Sequence, residues 1–236
     1  SYDFLDSYSV LTNLPNITTI SDGSENTFLI MANKTAHSPF LLQEPDYVPA
    51  TKVDNTAYDT DMVSRYTVDG KTLGMTEANQ VALYHVNMAA YMALGEWFDY
   101  LREQGVWDNT RIIIVSDHGF NSGQFDLTAT NGVDMEYFLP LLMVKDFDAT
   151  GFTVCEDFMT NGDTPAIAMA GLIEDPVNPF TNNPINSDSK TGPQTVLFSN
   201  DIEIDNNNGF TIAPCSWYVL DGDPHDPSSW KHIGDF

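Results

Sequence analysis

Asp117 and His118 stand side by side after the apolar run Ile112-Ile113-Ile114-Val115 and Ser116, with Gly119 immediately following. A carboxylate and an imidazole so placed offer one oxygen and one nitrogen ligand to a divalent ion. That donor set suits Zn²⁺ or Mn²⁺ better than Ca²⁺ or Mg²⁺. Strand neighbours point to opposite faces, so both reach one ion only if the chain turns at once, and Gly119 permits the turn. The same residues also read as a strand-ending Asp that accepts turn N–H groups, beside a solvated His. His37, in Ala36-His37-Ser38-Pro39, is a further imidazole able to donate or move a proton near neutral pH. A turn at Ser38-Pro39 with an exposed ring is its competing reading.

Several elements must position these groups. The β-branched run Ile112 to Val115 predicts a strand buried on both faces of a parallel sheet, whose carboxyl end is where ligand sites of such sheets collect. Residues 27–32 (Thr-Phe-Leu-Ile-Met-Ala) predict another strand, ending shortly before His37. Apolar residues at Val81, Tyr84, Met88, Tyr91, Met92, Phe98 and Leu101 have helical spacing, with Thr76 as N-cap and Gly105 at C′. His85 lies within that helix, where a satisfied core or rim histidine is the favoured reading over a ligand. A right-handed crossover through this helix would bring the two strand ends to one edge.

The stretch 44–71, rich in Pro, Asp, Asn and Tyr, predicts a long irregular surface loop, and residues 1–25 a polar lead-in. Residues 136–145 predict a second buried strand. Asp163 with Pro165 predicts a helix start running to about Ile173. Residues 195–199 and 210–220 predict antiparallel strands, with a turn at 205–209 between them.

The 236 residues carry a formal charge of −25 with only 9 Lys and Arg, which excludes a nucleic-acid partner because phosphate contacts need basic side chains. The same charge disfavours direct adhesion to an anionic membrane, and no apolar run reaches the ~20 residues a span needs. Cys155 and Cys215 lie in no Cys-x-x-Cys motif; they read either as one disulfide of an oxidising compartment or as two buried thiols, and because no spacing supports a bridge the free thiols are favoured.

The run Trp107-Asp108-Asn109-Thr110, then Arg111, three Ile, Val and Ser-Asp-His-Gly, resembles the metal-binding segment of the alkaline phosphatase superfamily. It is most like the branch holding sulfatases, phosphoethanolamine transferases and lipoteichoic acid synthases. Asn33-Lys34-Thr35-Ala36-His37-Ser38-Pro39-Phe40 resembles the family's His-x-Pro loop near the substrate. The helix before Trp107 resembles the one preceding the metal strand. Phe158-Met159-Thr160-Asn161-Gly162-Asp163-Thr164-Pro165 resembles a later helix start, with Ala166 where Thr is usual. These stretches cover roughly 26–173, in the family's order.

The resemblance implies a three-layer α/β/α sandwich, incomplete at its N-terminal side, with a small antiparallel C-terminal region at about 195–236. The whole chain, 1–236, would be a partial sulfatase-like catalytic domain. In this family a Thr, Ser or Cys nucleophile and an acidic ligand come from strands before the His-x-Pro loop, and neither Thr18 nor Thr19 has that setting. The chain is therefore expected to be the C-terminal portion of a larger protein, and inactive alone. Asp117 and His118 would hold one divalent ion, Mn²⁺ or Zn²⁺ ahead of Mg²⁺ or Ca²⁺. His37 would act on a substrate oxygen or leaving group. Phosphoethanolamine transferases carry a further His soon after Asp-His-Gly; residues 120–145 contain none, which points to a single-metal enzyme. The implied activity is phospho- or sulfo-ester hydrolysis or transfer outside the cytoplasm. Its substrates would be lipid-linked or glycan esters, and upstream segments would anchor it to the extracellular face of the cell membrane. The alternative is a catalytically inert extracellular binding module that keeps the fold.

Overall fold

A computed structural model describes residues 2–23, 25–129, 131–187, 190, 192–199 and 215–235. The chain gathers into two compact units, Ser1–Thr110 and Arg111–Phe236.

The first unit is built on a long helix. α1 (Tyr2–Thr12) and α2 (Leu14–Ile17) lead in, so the polar lead-in is helical and buries Phe4, Leu11 and Leu14. After α3 (Thr56–Asp61) and the short hairpin β1 (Thr67–Val68) and β2 (Lys71–Thr72) comes α4 (Ala78–Glu103). Its N-cap is Glu77 rather than Thr76, because Glu77 and Gln80 close a reciprocal capping box. Its end is as the sequence predicts: Gly105 has φ 71°, and Gly105 and Val106 donate back to Arg102 and Leu101, a Schellman closure. Phe4, Leu42, Tyr47, Val86 and Ala89 form one apolar cluster; Leu11, Leu14 and Ala93 form another. Trp97 and Tyr100 both bond Thr18, tying the helix to the segment after α2.

Residues 27–32 differ from expectation. They are extended but join no ladder among the described residues, and Phe28, Leu29 and Ile30 are 74%, 71% and 80% exposed. β-rich composition states what a side chain prefers once packed and supplies no partner strand. The stretch 44–71 also differs. It holds α3, a 3-10 turn and a hairpin, and it buries Glu44, Tyr47 and Tyr66.

In the second unit β3 (Ile112–Val115) pairs antiparallel with β4 (Leu142–Lys145), from Ile112 opposite Lys145 to Val115 opposite Leu142. The predicted parallel setting is thus absent at this ladder, and the strand is half-buried rather than covered on both faces. Residues 136–145 are not one strand: Met135–Phe138 is a 3-10 turn, and Pro140, which has no N–H to donate, separates it from β4. α5 (Thr164–Met169) follows a capping box between Thr160 and Asp163, with Pro in its first turn. It stops at Met169, short of Ile173. β5 (Gln194–Ser199), β6 (Cys215–Leu220) and β7 (Trp230–Asp235) form an antiparallel sheet in that order. The expected turn at 205–209 and strand residues 210–214 lie outside the described residues, and β7 was not foreseen. Leu127, Met135 and Tyr218 centre the apolar cluster of this unit.

Candidate metal centre

The strand that delivers Asp117 and His118 is fixed at both ends. At its start, Arg111 reaches Asp146 at 2.8 Å and gives a third N–H group to the carbonyls of Ile167, Ala168 and Ala170, satisfying the C-terminus of α5. The guanidinium holds the Asp146 carboxyl below its usual range, chiefly through that hydrogen bond. At the strand's end, Ser116 N–H donates to Leu141 O, and Leu141 N–H donates to Ser116 Oγ. The chain then turns, as Gly119 allows, but for closeness rather than for an unusual φ. A Cβ on Gly119 would lie 2.0 Å from Glu136 O and 2.9 Å from Leu139 O. Gly119 N–H also donates to Tyr137 O, so the turn is pressed on the 3-10 turn's backbone.

Within this turn His118 Nε2 lies 3.8 Å from Asp117 Oδ2, and both side chains are exposed. Two ligands on one ion, each with a bond of about 2.1 Å, can be at most ~4.2 Å apart. The remaining atoms are committed. Asp117 Oδ1 accepts the His118 N–H, and His118 Nδ1 lies 2.6 Å from Gly119 O. A carbonyl only accepts, so Nδ1 carries the proton and the Nε2 lone pair is free, the arrangement of a metal-ligating histidine. The pair therefore fits a divalent ion. Among the described residues no group of three His, Cys, Asp or Glu donors gathers to hold one.

Asn161, from the segment singled out before α5, donates to Asp117 O at 2.7 Å. Sequence reasoning noticed that segment and missed the contact. It also missed Glu136, which is 2% exposed; its Oε2 accepts Ser122 N–H, Ser122 Oγ–H and Gly123 N–H, and its Oε1 accepts Phe125 N–H. The polar stretch 120–124 is thus loop structure organised by a carboxylate. The only sequence signal was a Glu opening an apolar run, and that reads as a strand start.

His37 belongs to the first unit. Its turn is fixed by Asn33, which donates to Ser7 O and accepts Thr35 N–H, and by His37 N–H donating to Lys34 O. The ring is exposed, with Nδ1 3.0 Å from Ser38 Oγ. His85 is a core histidine, fully buried, with Nδ1 accepting Leu42 N–H at 3.1 Å. Cys155 and Cys215 are free thiols, but only Cys215 is buried; Cys155 is exposed.

Residues 5–146 match the family model described as Sulfatase, more than half of the chain. The chain belongs to the sulfatase family, within the alkaline phosphatase superfamily, and so has the superfamily's α/β fold. The match begins within α1, at Leu5, and ends at Asp146, before α5 and the three-stranded sheet. A multifunctional alkaline phosphatase superfamily protein, PehA, of Trinickia caryophylli is 37% identical over 79 residues, which are 33% of this chain and 15% of that relative. No solved structure matches the chain. The sulfatase family generally uses a divalent metal, and the exposed Asp117–His118 pair has the chemistry to contribute two of its ligands.

Proposed function

We propose that this chain supplies part of the metal centre of a sulfatase-type phospho- or sulfo-ester hydrolase or transferase, with Asp117 and His118 as ligands. One observation carries the reading: Asp117 Oδ2 and His118 Nε2 lie 3.8 Å apart and exposed, while the partner atoms of both groups are held by backbone. A divalent ion there supplies charge stabilisation for a transferring phosphoryl or sulfuryl group. Asp117 and His118 bind without reorganising, because Gly119 O already fixes the ring and its tautomer. His37, with Nε2 outside its Ser38 contact, is assigned to donate a proton or hydrogen bond to a substrate oxygen. Mn²⁺ or Zn²⁺ is the expected ion, and an ester outside the cytoplasm, lipid-linked or glycan-borne, the expected substrate.

The test is cleavage of aryl sulfates and aryl phosphodiesters by the full-length polypeptide, with Mn²⁺ or Zn²⁺ added back after chelation. His118→Ala and Asp117→Asn should lower both metal affinity and turnover. His37→Ala should spare metal affinity and lower turnover by about 10²- to 10⁴-fold, the usual worth of one acid–base or charge-stabilising group. Wild-type affinity and turnover in both ligand variants would remove the pair from the centre. A full-length protein with neither metal binding nor turnover would instead be an inert binding module.

A further inference from the structure

Glu136 is a nearly fully buried carboxylate that forms no ion pair among the described residues; its charge is met by hydrogen-bond donors of the loop that follows Gly119. The four contacts span 2.6 to 3.0 Å, so both oxygens are engaged by donors from a stretch of only four residues, Ser122 to Phe125. A buried charge held this way is stable only while the donors stay convergent. The loop cannot open without leaving the carboxylate unmet. Glu136 O is also the atom closest to the space a Gly119 side chain would fill. One residue thus touches both the turn that aims Asp117 and His118 and the loop that continues from it.

We propose that Glu136 is a positioning residue for the Asp117–His118 pair: its carboxylate is the fixed anion around which residues 122–125 fold, and its backbone is the stop against which the Asp-His-Gly turn seats. This rests on the reading of that pair as metal ligands. The consequence is a pair whose donor atoms converge before any ion arrives, so that an ion need not order the turn. Ser122 Oγ–H, spent on Glu136, is then part of the scaffold rather than a substrate contact.

The test uses the whole chain, ¹⁵N-labelled, with Mn²⁺ alone as probe. Two readouts are taken, amide hydrogen exchange and paramagnetic broadening of the Asp117 and His118 signals. E136Q preserves shape but turns an N–H₂ group towards donors. Exchange at Ser122, Gly123 and Phe125 should accelerate by about 10- to 100-fold, the worth of one or two charge-assisted hydrogen bonds. Amides of Ile113 and Ile114 in β3 should change less than about 2-fold, since that ladder is independent of the carboxylate. Broadening at His118 should need several-fold more Mn²⁺. Should E136Q not fold, S122A removes one of the four bonds and should raise exchange at Gly123 and Phe125 by about 3- to 10-fold. Loop exchange rising no more than that of β3 overturns the proposal, as does a loosened loop with unchanged Mn²⁺ broadening. No broadening at either residue in the wild-type chain overturns the site reading and the proposal with it.

Discussion

Glu44 in the first unit and Asp117 in the second are both carboxylates beside a histidine, and their surroundings are opposite. Glu44 is 3% exposed; Arg65 grips both its oxygens, at 2.6 and 3.1 Å, and His85 Nε2 faces it at 3.7 Å, beyond hydrogen-bond length. The rest of the Arg65 fork goes to Asp59 and to the carbonyls of Tyr58 and Met62. That cluster shifts pKa values, with burial pushing the His85 imidazole down against the opposing pull of Glu44. An open cleft of about 460 Å³ lies beside it, lined by Asp59, Arg65 and Tyr66 among others. By the usual signs of burial, perturbed titration and concavity it is the better candidate site. Its Arg65 fork and the Glu44 oxygens, however, are spent on one another, and the atoms left without a partner, His85 Nε2 and Tyr66 Oη, are sealed in the core, whereas Asp117 and His118 each keep an uncommitted atom on an exposed side chain. Structural ion pairs perturb titration as readily as catalytic ones do. Exposed free valence, rather than perturbation, separates the two regions.

The sharpest break of this comparison is at Arg65. Arg65→Met leaves the Glu44 carboxylate buried without its cation and should lower the stability of the chain by about 3–5 kcal/mol in urea unfolding. Adding Glu44→Gln should recover part of that loss, because the stranded charge goes with its partner. A single variant within experimental error of wild type would mean that the cluster is wetter than its geometry shows.

A smaller effect comes from pH. The His85 pKa is lowered on folding by burial, against an unfolded value of about 6.5. The groups facing it are Glu44, Arg65, Asp59, Tyr47 and Tyr84. Below ~6.5 the unfolded chain holds the extra proton before the folded one does, so stability is full above that pH and falls as acid is added. Protonation at Nδ1 would also cancel the bond from Leu42 N–H. The melting temperature should therefore decline from pH 6.5 to 5.5, before most carboxylates titrate. His85→Asn, whose Oδ1 can accept the same N–H, should flatten that decline. An equal slope in both proteins would assign the decline to other groups.

What the sequence disclosed depended on whether the signal was local. The end of α4 was legible because Gly105 acts within one turn. The Asp-His-Gly turn was legible because its chemistry sits in three adjacent residues. Residues 27–32 carry a strand's composition, but pairing depends on a partner that composition cannot name. Pro140 was a readable break that the apolar run around it concealed. Glu136 was not readable, since a buried anion and its donors 11 to 14 residues away have no fixed spacing. Nor was the partnership of Arg65 with Glu44, 21 residues apart.

The smallest expected change is the one that tests the contrast most directly. Asp117→Asn keeps an oxygen for the His118 N–H and alters only an exposed side chain, so stability should stay within about 0.5 kcal/mol of wild type. The same substitution replaces the anionic donor of the pair with a neutral amide, so the Mn²⁺ broadening of His118 should weaken strongly or vanish. Arg65→Met should do the reverse, costing stability while leaving His118 broadening as it was in whatever fraction stays folded. If Asp117→Asn instead destabilised the chain as Arg65→Met does, its carboxylate would be a structural acceptor like that of Glu44. The exposed free valence that distinguishes the two regions would then be illusory.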